Sequence, residues 1–231
     1  MTVRVAVIDS GIHETHPHVG GVAGGVAFDD DGREHADFVD RLGHGTAVAA
    51  AIREKVPAAD LYAVKVFDRA LATRASNLVR AIDWAARNGL HVANLSLGTA
   101  RVEHEPMLRD AVDRAAAARL IIVSARDEDG ARWLPGALPG VIAVQVDWSC
   151  PRDQYRIAEI DGVPVFRASG FPRPIPGVAP ERNLHGLSFA VANITGFIAR
   201  ALDSCAERTF DAVVEHLVVR ASNVRVDASL G

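Results

Sequence analysis

The chain has 231 residues, of which 49% are apolar and 23% charged, enough apolar side chain to build and bury a core. The apolar fraction excludes a disordered chain, and two cysteines, Cys150 and Cys205, are too few for a disulfide scaffold. A formal net charge of −4 gives no electrostatic reason to expect a nucleic acid partner.

The predicted location is the cytoplasm. The first strand-like run follows Met1 directly, without the basic segment or the cleavage site of a signal peptide. The longest uncharged run, residues 183–199, is too short and too polar to predict a membrane span. We therefore expect a cytoplasmic protein without a membrane partner, in which both cysteines are reduced.

Short runs rich in β-branched residues alternate along the chain with segments of helical periodicity. The runs predict buried strands at residues 3–8, 61–67, 92–95, 120–124 and 141–146. The helical segments are residues 77–88, 105–118 and 188–205, and the last is apolar on nearly every face. Between them, the proline-rich stretch 147–183 predicts loops and a β-ribbon, with strand-like pieces at 156–160 and 163–166.

This alternation predicts an α/β fold: a doubly wound, mostly parallel sheet flanked by helices. We expect residues 1–231 to form one domain. In such a sheet the functional site lies at the carboxyl ends of the strands.

Three residues at element boundaries are candidates for catalysis. Asp9 ends the first strand, His44 stands between two glycines at the start of an apolar helix, and Ser188 opens the central helix. A serine hydroxyl is a weak nucleophile until a base takes its proton, and a carboxylate can orient that base. Taken singly, each residue is more typical of a turn or a helix cap than of a catalytic site.

Two other clusters, one of histidines and one of aspartates, contain residue types that bind metal ions. His13, His16 and His18 lie in one loop without an obvious carboxylate or cysteine partner, so a metal site is disfavoured there. The acidic turn at 29–31 is more typical of a solvated surface than of a calcium site. We therefore predict no metal and no cofactor.

The order Asp9, His44, Ser188 is that of the subtilisin arrangement. Around these residues the sequence reads VAVIDSG at 5–11, GHGTAVAAAI at 43–52 and GLSFA at 186–190. These segments resemble the three catalytic motifs of the subtilisin-like serine proteases, the subtilase family, and the resemblance extends from about residue 3 to residue 200. It implies a subtilisin-like fold in which Ser188 is the nucleophile, His44 the general base and Asp9 the residue that orients His44.

The resemblance also implies how a peptide substrate would bind. The segment at 94–98, NLSLG, resembles the family's strand that lines the S1 pocket and pairs with an extended substrate. The implied substrate-binding residues are Leu95, Ser96, Leu97, Gly98, Ser124, Ala125, Arg126 and Trp133. Arg126 on the pocket wall and Trp133 near its base predict a restricted S1 pocket. The alternative is that Trp133 faces the core or the solvent.

The oxyanion site departs from the family pattern. Asp127 stands where the family has an asparagine that donates its amide, and the resemblance assigns Asp127 and the backbone N–H of Ser188 to the oxyanion. An ionised aspartate only accepts hydrogen bonds, so Asp127 would donate only when protonated. Arg126 and Leu187 also replace family residues, a glycine and a threonine.

The leading hypothesis is a serine endopeptidase that works through an acyl-enzyme, with a dedicated role in peptide processing such as leader removal. Its partner would be a peptide or protein bound as an extended strand, and the sequence names no activating partner. The alternatives on the same fold are a catalytically weak peptide-binding pseudoprotease and a peptide ligase. Asp9, His44 and Ser188 together favour activity, whereas Asp127, Arg126 and Leu187 together favour the weak form.

Overall fold

The computed structural model describes residues 2–128, 130–205 and 207–223. Its strands are β1 (Arg4–Asp9), β2 (Gly24–Phe28), β3 (Glu34–His35), β4 (Asp60–Lys65), β5 (Val92–Leu95), β6 (Ile121–Ala125), β7 (Asp127–Glu128), β8 (Ala131–Arg132), β9 (Val141–Val146), β10 (Tyr155–Ile160) and β11 (Val163–Ala168). Its α-helices are α1 (His44–Lys55), α2 (Ala75–Arg87), α3 (Glu105–Ala117), α4 (Leu187–Ser204) and α5 (Phe210–Val218). Short 3-10 turns cover Val102–His104 and Pro180–Arg182.

Most strands join one twisted sheet in the order β10-β11-β9-β6-β5-β1-β4-β2-β3. The pairs from β11 across to β2 are parallel, and the antiparallel strands β10 and β3 lie at the two edges. β1 pairs in parallel with β4 on one side and with β5 on the other, where the chain crosses from one half of the sheet to the other, so β1 lies at the topological switch point. The predicted doubly wound, mostly parallel α/β sheet is confirmed, with Asp9 at the carboxyl end of its first strand.

Helices cover both faces of this sheet. Val5 and Val7 of β1 pack into a core with α1 and α4, whereas Ala6 and Ile8 point to the opposite face and pack with α2 and α3. Successive side chains of β1 therefore point into two different cores, which is why the strand is apolar from Val5 to Ile8. α4 is buried along most of its length, and α5 packs on the same side of the sheet.

The structure extends the predicted elements and adds others that were not predicted, namely strands β2, β3, β7 and β8 and helix α5. The predicted β-ribbon is the hairpin β10–β11, and β11 also pairs in parallel with β9, so the ribbon enlarges the main sheet instead of standing apart. β2 and β3 were not predicted. β2 begins with Gly24 and Gly25 and β3 has two residues, so neither carries a strand-like pattern.

No helix in the described ranges is long and apolar enough to cross a membrane. Residues 1, 129, 206 and 224–231 lie outside the described residues. The assignment of residues 1–231 to one domain therefore stays a prediction.

Candidate active site

Asp9 and His44 form the centre of the site. Asp9 is fully buried at the end of β1, and His44 is the first residue of α1. His44 Nδ1 lies 2.7 Å from Asp9 Oδ1, and the backbone N–H of Ser10 donates to the same oxygen, also at 2.7 Å. With Nδ1–H donating to the carboxylate, Nε2 keeps a free lone pair and can act as a base.

Close packing of α1 against the end of β1 sets this geometry. A Cβ atom on Gly45 would lie 2.2 Å from the carbonyl oxygen of Gly11, so only glycine allows the approach. The backbone N–H of Gly45 also donates to the Ser10 hydroxyl, at 2.9 Å. The first turn of α1 is therefore held beside Asp9.

Asp40 anchors the loop that leads into His44, and sequence reasoning missed it. Its buried carboxylate accepts hydrogen bonds from the Ser10 hydroxyl at 2.9 Å, from the Thr46 hydroxyl at 2.6 Å and from the backbone N–H of Thr46 at 2.8 Å. Two backbone N–H groups of the intervening turn donate to it as well, each at 2.9 Å. The signal that marks it is an acidic residue four positions before a histidine that opens a helix.

The surroundings of Asp40 and His44 shift the pKa values of both side chains. Burial alone would raise the pKa of Asp40, but the hydrogen bonds from Thr46, the turn and Ser10 hold it below its usual value. Burial lowers the pKa of His44, but the hydrogen bond from the ring to Asp9 and the charges of Asp9 and Asp40 outweigh burial, so the net pKa lies above 6.5. His44 is therefore a stronger base than a free histidine.

Ser188 reaches the site from α4. It is the second residue of that helix, after Leu187, and the helix is preceded by Gly186, whose φ of 146° is a conformation that favours glycine. The ring of Phe189, the next residue, lies 5.6 Å from the His44 ring between centroids. The Ser188 hydroxyl donates to the Ser96 carbonyl at 3.3 Å, and no contact among the described residues joins it to His44.

The predicted substrate-binding segments lie side by side. Leu95 ends β5 and pairs with Ser124 of β6, whose hydroxyl is buried without a hydrogen-bond partner among the described residues. After Leu95, the backbone N–H groups of 96–98 make no hydrogen bond to any described residue. Ala125 continues β6 towards Arg126. The chain thus offers free donors along one edge, next to the segment at 124–126.

Trp133 lies between these two segments. Its backbone N–H donates to the Arg126 carbonyl at 2.8 Å. Its indole packs so closely on Gly98 that a Cβ there would lie 3.0 Å from Trp133 Cε3 and 2.6 Å from the Leu134 carbonyl oxygen. The half-buried indole therefore packs against the predicted substrate-binding segment and is not part of either core cluster.

The carboxylate of Asp127 accepts hydrogen bonds from a neighbouring amide. Gln145 Nε2 lies 2.9 Å from each Asp127 carboxylate oxygen, and Arg167 Nε donates to Gln145 Oε1 at 2.9 Å, which fixes the orientation of the amide. Arg126 Nε lies 3.6 Å from Asp127 Oδ2, while its other end bonds Asp161 at 2.8 Å. In these contacts both carboxylate oxygens of Asp127 accept from the Gln145 amide.

Gln145 was not predicted as a site residue, because it stands in a strand that otherwise reads as core. The signal that marks it is an uncharged polar side chain near the end of an apolar strand. Together with Asp127, Trp148 and Leu187 it lines a cleft of about 730 Å³. Leu187 is the neighbour of Ser188, so the cleft opens beside the candidate nucleophile.

A metal centre is not part of this arrangement. The described residues hold no group of three or more histidine, cysteine or acidic side chains that could bind a metal ion. In the acidic turn, the Asp29 carboxylate accepts the backbone N–H groups of Asp31 and Arg33, at 3.0 and 2.8 Å, and so closes the turn itself.

Comparison with known proteins gives this geometry a context. The chain is similar to a thermostable alkaline protease of Halalkalibacterium halodurans, at 37% identity over 152 residues, which cover 61% of this chain and 40% of that protein. The chain spans between about a third and a half of the length of the first curated relatives it matches.

Among solved structures, a cold adapted subtilisin-like serine proteinase matches with a TM-score of 0.70 at 22% identity, covering 96% of this chain and 84% of that one. The prenylagaramide maturation protease PagA matches with a TM-score of 0.65 at 25% identity, covering 87% and 76%.

The family match includes two of the three candidate catalytic residues. The subtilase family model matches residues 1–146, which contain Asp9 and His44, while Ser188 lies beyond the matched stretch. The match covers more than half of the chain and agrees with the fold. The chain belongs to the subtilase family.

Proposed function

We propose that this chain is a serine endopeptidase that works through Asp9, His44 and Ser188. The contact of 2.7 Å between His44 Nδ1 and the buried carboxylate of Asp9 carries the proposal. His44 Nε2 accepts the proton of Ser188 as its oxygen attacks the peptide carbonyl, and then gives that proton to the leaving amine. Water hydrolyses the resulting acyl-enzyme by the same route in reverse.

In this proposal the oxyanion has one hydrogen-bond donor, the backbone N–H of Ser188. The backbone N–H of Ser188 belongs to the first turn of α4, where it has no partner within the helix and the helix dipole favours negative charge. Asp127, assigned to the other side, accepts hydrogen bonds from Gln145 at both carboxylate oxygens. We therefore propose a slow enzyme compared with relatives that carry an amide donor at this position.

The substrate is proposed to bind as an added strand. The free backbone N–H groups of 96–98 would pair with the main chain of an extended peptide, which needs no particular side chains. Trp133, packed against Gly98, narrows the space for the residue before the scissile bond. A small side chain at that position fits best.

The biological role we propose is the processing of a precursor peptide, by removal of a leader or a comparable segment. A narrow pocket and a weak oxyanion site suit the cleavage of one dedicated site better than general digestion. The similarity to a maturation protease supports this role. The cytoplasmic location stays a prediction.

A second candidate function is peptide binding with little hydrolysis. The observation in its favour is that the Ser188 hydroxyl donates to the Ser96 carbonyl and has no contact with His44. Hydrogen bonds of catalytic groups are often loose without substrate and tighten when it binds, so this contact does not outweigh the Asp9–His44 geometry.

Labelling with a fluorophosphonate, which traps activated serines, tests the proposal. We expect the parent to be labelled and Ser188→Ala to be unlabelled and inactive on peptides, by orders of magnitude, while keeping its circular dichroism spectrum. Ser204→Ala, at the far end of the same helix, is the matched control and should label like the parent. A folded parent that is neither labelled nor active would support peptide binding instead. Labelling of Ser188→Ala would contradict the assignment of the nucleophile.

A further inference from the structure

A second cavity lies beyond the predicted substrate-binding edge. It has a volume of about 600 Å³, and the side chains of Leu78, Leu97 and Met107 contribute apolar surface to it. Leu97 and Gly98 belong both to this cavity and to the segment whose backbone N–H groups are free. A peptide paired along 96–98 would therefore pass directly over the cavity.

Two arginines, Arg74 and Arg101, line this cavity, and their guanidinium groups have no hydrogen-bond or ion-pair partner within the described ranges. The nearby carboxylate of Glu105 is already bonded to two other arginines, each at 2.8 Å. Glu103 is exposed and makes no described contact with Arg74 or Arg101. Positive charge at this cavity is thus uncompensated in a chain whose net charge is −4.

The direction of the substrate follows from the site. The Ser96 carbonyl accepts the Ser188 hydroxyl, so the scissile bond lies near Ser96. The strand at 94–98 is the one assigned to the S1 pocket, which holds the residue on the amino side of the scissile bond. Residues paired one to one with the segment from Leu97 to Thr99, which lines the cavity, would stand about two to four positions upstream of that bond.

We propose that Arg74 and Arg101 select an aspartate or glutamate side chain about two to four residues upstream of the scissile bond. This inference rests on the proposed peptidase function, whose substrate class it narrows to peptides with an acidic residue in that window. The carboxylate would meet the two guanidinium groups, and its methylene groups or an apolar neighbour would cover the apolar part of the cavity.

The test uses matched peptides that carry Glu or Gln at each upstream position in turn. We expect Glu to raise kcat/KM by about three- to tenfold over Gln at one position, because two partly exposed ion pairs contribute modestly. The preference should shrink when the salt concentration rises from 50 to 500 mM, since exposed charges are screened.

Matched variants assign the preference to the two arginines. The double variant Arg74→Gln/Arg101→Gln should lose the Glu preference and cleave the Gln peptides within about twofold of the parent. Arg119→Gln, at the opposite end of the sheet, removes a guanidinium that also lacks a described partner and should keep the preference. The charge-reversed Arg74→Glu/Arg101→Glu should prefer Lys over Gln at the same position.

Three results would overturn the inference. They are equal kcat/KM for Glu and Gln peptides at every position, a Glu preference that survives in the double variant, and a Glu preference that Arg119→Gln also abolishes.

Binding measured with Ser188→Ala separates this inference from the proposed function. By fluorescence anisotropy, Ser188→Ala should bind the Glu peptide more tightly than the Gln peptide. Failure of the parent to cleave peptides, with this difference intact, would refute the activity and leave the acidic preference standing.

Discussion

Asp127 and Gln145 show how a single residue change redirects a local network. The family resemblance places an amide donor where this chain has Asp127, and the carboxylate instead accepts both of its close contacts from Gln145. Arg167 holds the Gln145 carbonyl, so the amide cannot turn round and offer its oxygen to Asp127. The Gln145 amide therefore points its donor at Asp127, at the position that the family resemblance assigns to the oxyanion.

Asp127→Asn should raise kcat on cleavable peptides. The new amide can accept from Gln145 with its oxygen and donate to the oxyanion with its nitrogen, and loss of one such donor lowers kcat about 10²–10³-fold in a subtilisin, a relative of this chain. The measurement is kcat across pH, where the gain should persist to alkaline pH because an amide does not titrate. Asp161→Asn, which removes the other acidic partner of Arg126, is the control and should change kcat little. A slower Asp127→Asn at every pH would mean that the carboxylate has a positive role.

Trp133 makes a separate prediction about specificity. Because its indole packs on Gly98, Trp133→Gly should open the space between 96–98 and 124–126 and admit larger residues before the scissile bond. Cleavage-site profiling of a peptide library measures the change. Trp148→Gly, which removes an exposed indole from the cleft beside Leu187, should leave that preference as it is. An unchanged profile for Trp133→Gly would remove this residue from the pocket.

At the scale of elements, the loop before α1 is tied to the end of β1. Asp40 joins Ser10, Thr46 and the turn between them, so the position of His44 depends on one buried carboxylate. Its lowered pKa means that the bonds of Asp40 stabilise the fold above the ordinary value of 3.8 and that this stability is lost as the pH falls through the lowered pKa.

Asp40→Asn should act on both stability and catalysis. The amide cannot accept all five hydrogen bonds, so we expect a loss of about 2–4 kcal/mol in the free energy of unfolding. Removal of the negative charge should also lower the pKa of His44, so the acidic limb of kcat/KM, expected above pH 6.5 in the parent, moves to lower pH. Urea unfolding and pH–rate profiles measure the two effects.

Asp37→Asn is the matched control for this element. Asp37 lies in the same loop, but its carboxylate bonds an exposed arginine, Arg41, at the surface. We expect unchanged stability and an unchanged acidic limb in this variant. If Asp37→Asn and Asp40→Asn behave alike, the effect belongs to the general charge of the loop and not to the anchoring contacts.

At the scale of the whole molecule, α4 joins the candidate nucleophile to the core. Ile198, three turns after Ser188, is fully buried in the core shared by the sheet, α1 and α4. Ile198→Ala should lower the free energy of unfolding by about 2–5 kcal/mol, through lost burial and the cavity left behind. Denaturant unfolding measures this, and kcat of the folded protein should stay close to the parent.

Val219→Ala provides the comparison, since Val219 is half exposed after α5 and its truncation should cost little. Equal losses in the two variants would show that burial in the core does not set the cost. A large loss of kcat in folded Ile198→Ala would show that α4 transmits core packing to Ser188.

The sequence by itself determined the α/β alternation and the three candidate catalytic residues. The strands of the sheet centre are apolar on both faces because helices cover both sides, so their pattern is visible without coordinates. Asp9, His44 and Ser188 stand at element ends, where local motifs mark them. β2 and β3 escaped prediction because glycines and short length leave no periodic pattern.

Only the tertiary structure decided what surrounds those residues. Gln145 reaches Asp127 across neighbouring strands, and Arg74 and Arg101 meet at one cavity from separate elements. Asp40 anchors His44 through partners on both sides of it in sequence. Such contacts depend on which segments the sheet order brings together. Periodicity and motifs describe residues that are close in sequence, so they do not show which side chains meet across the sheet.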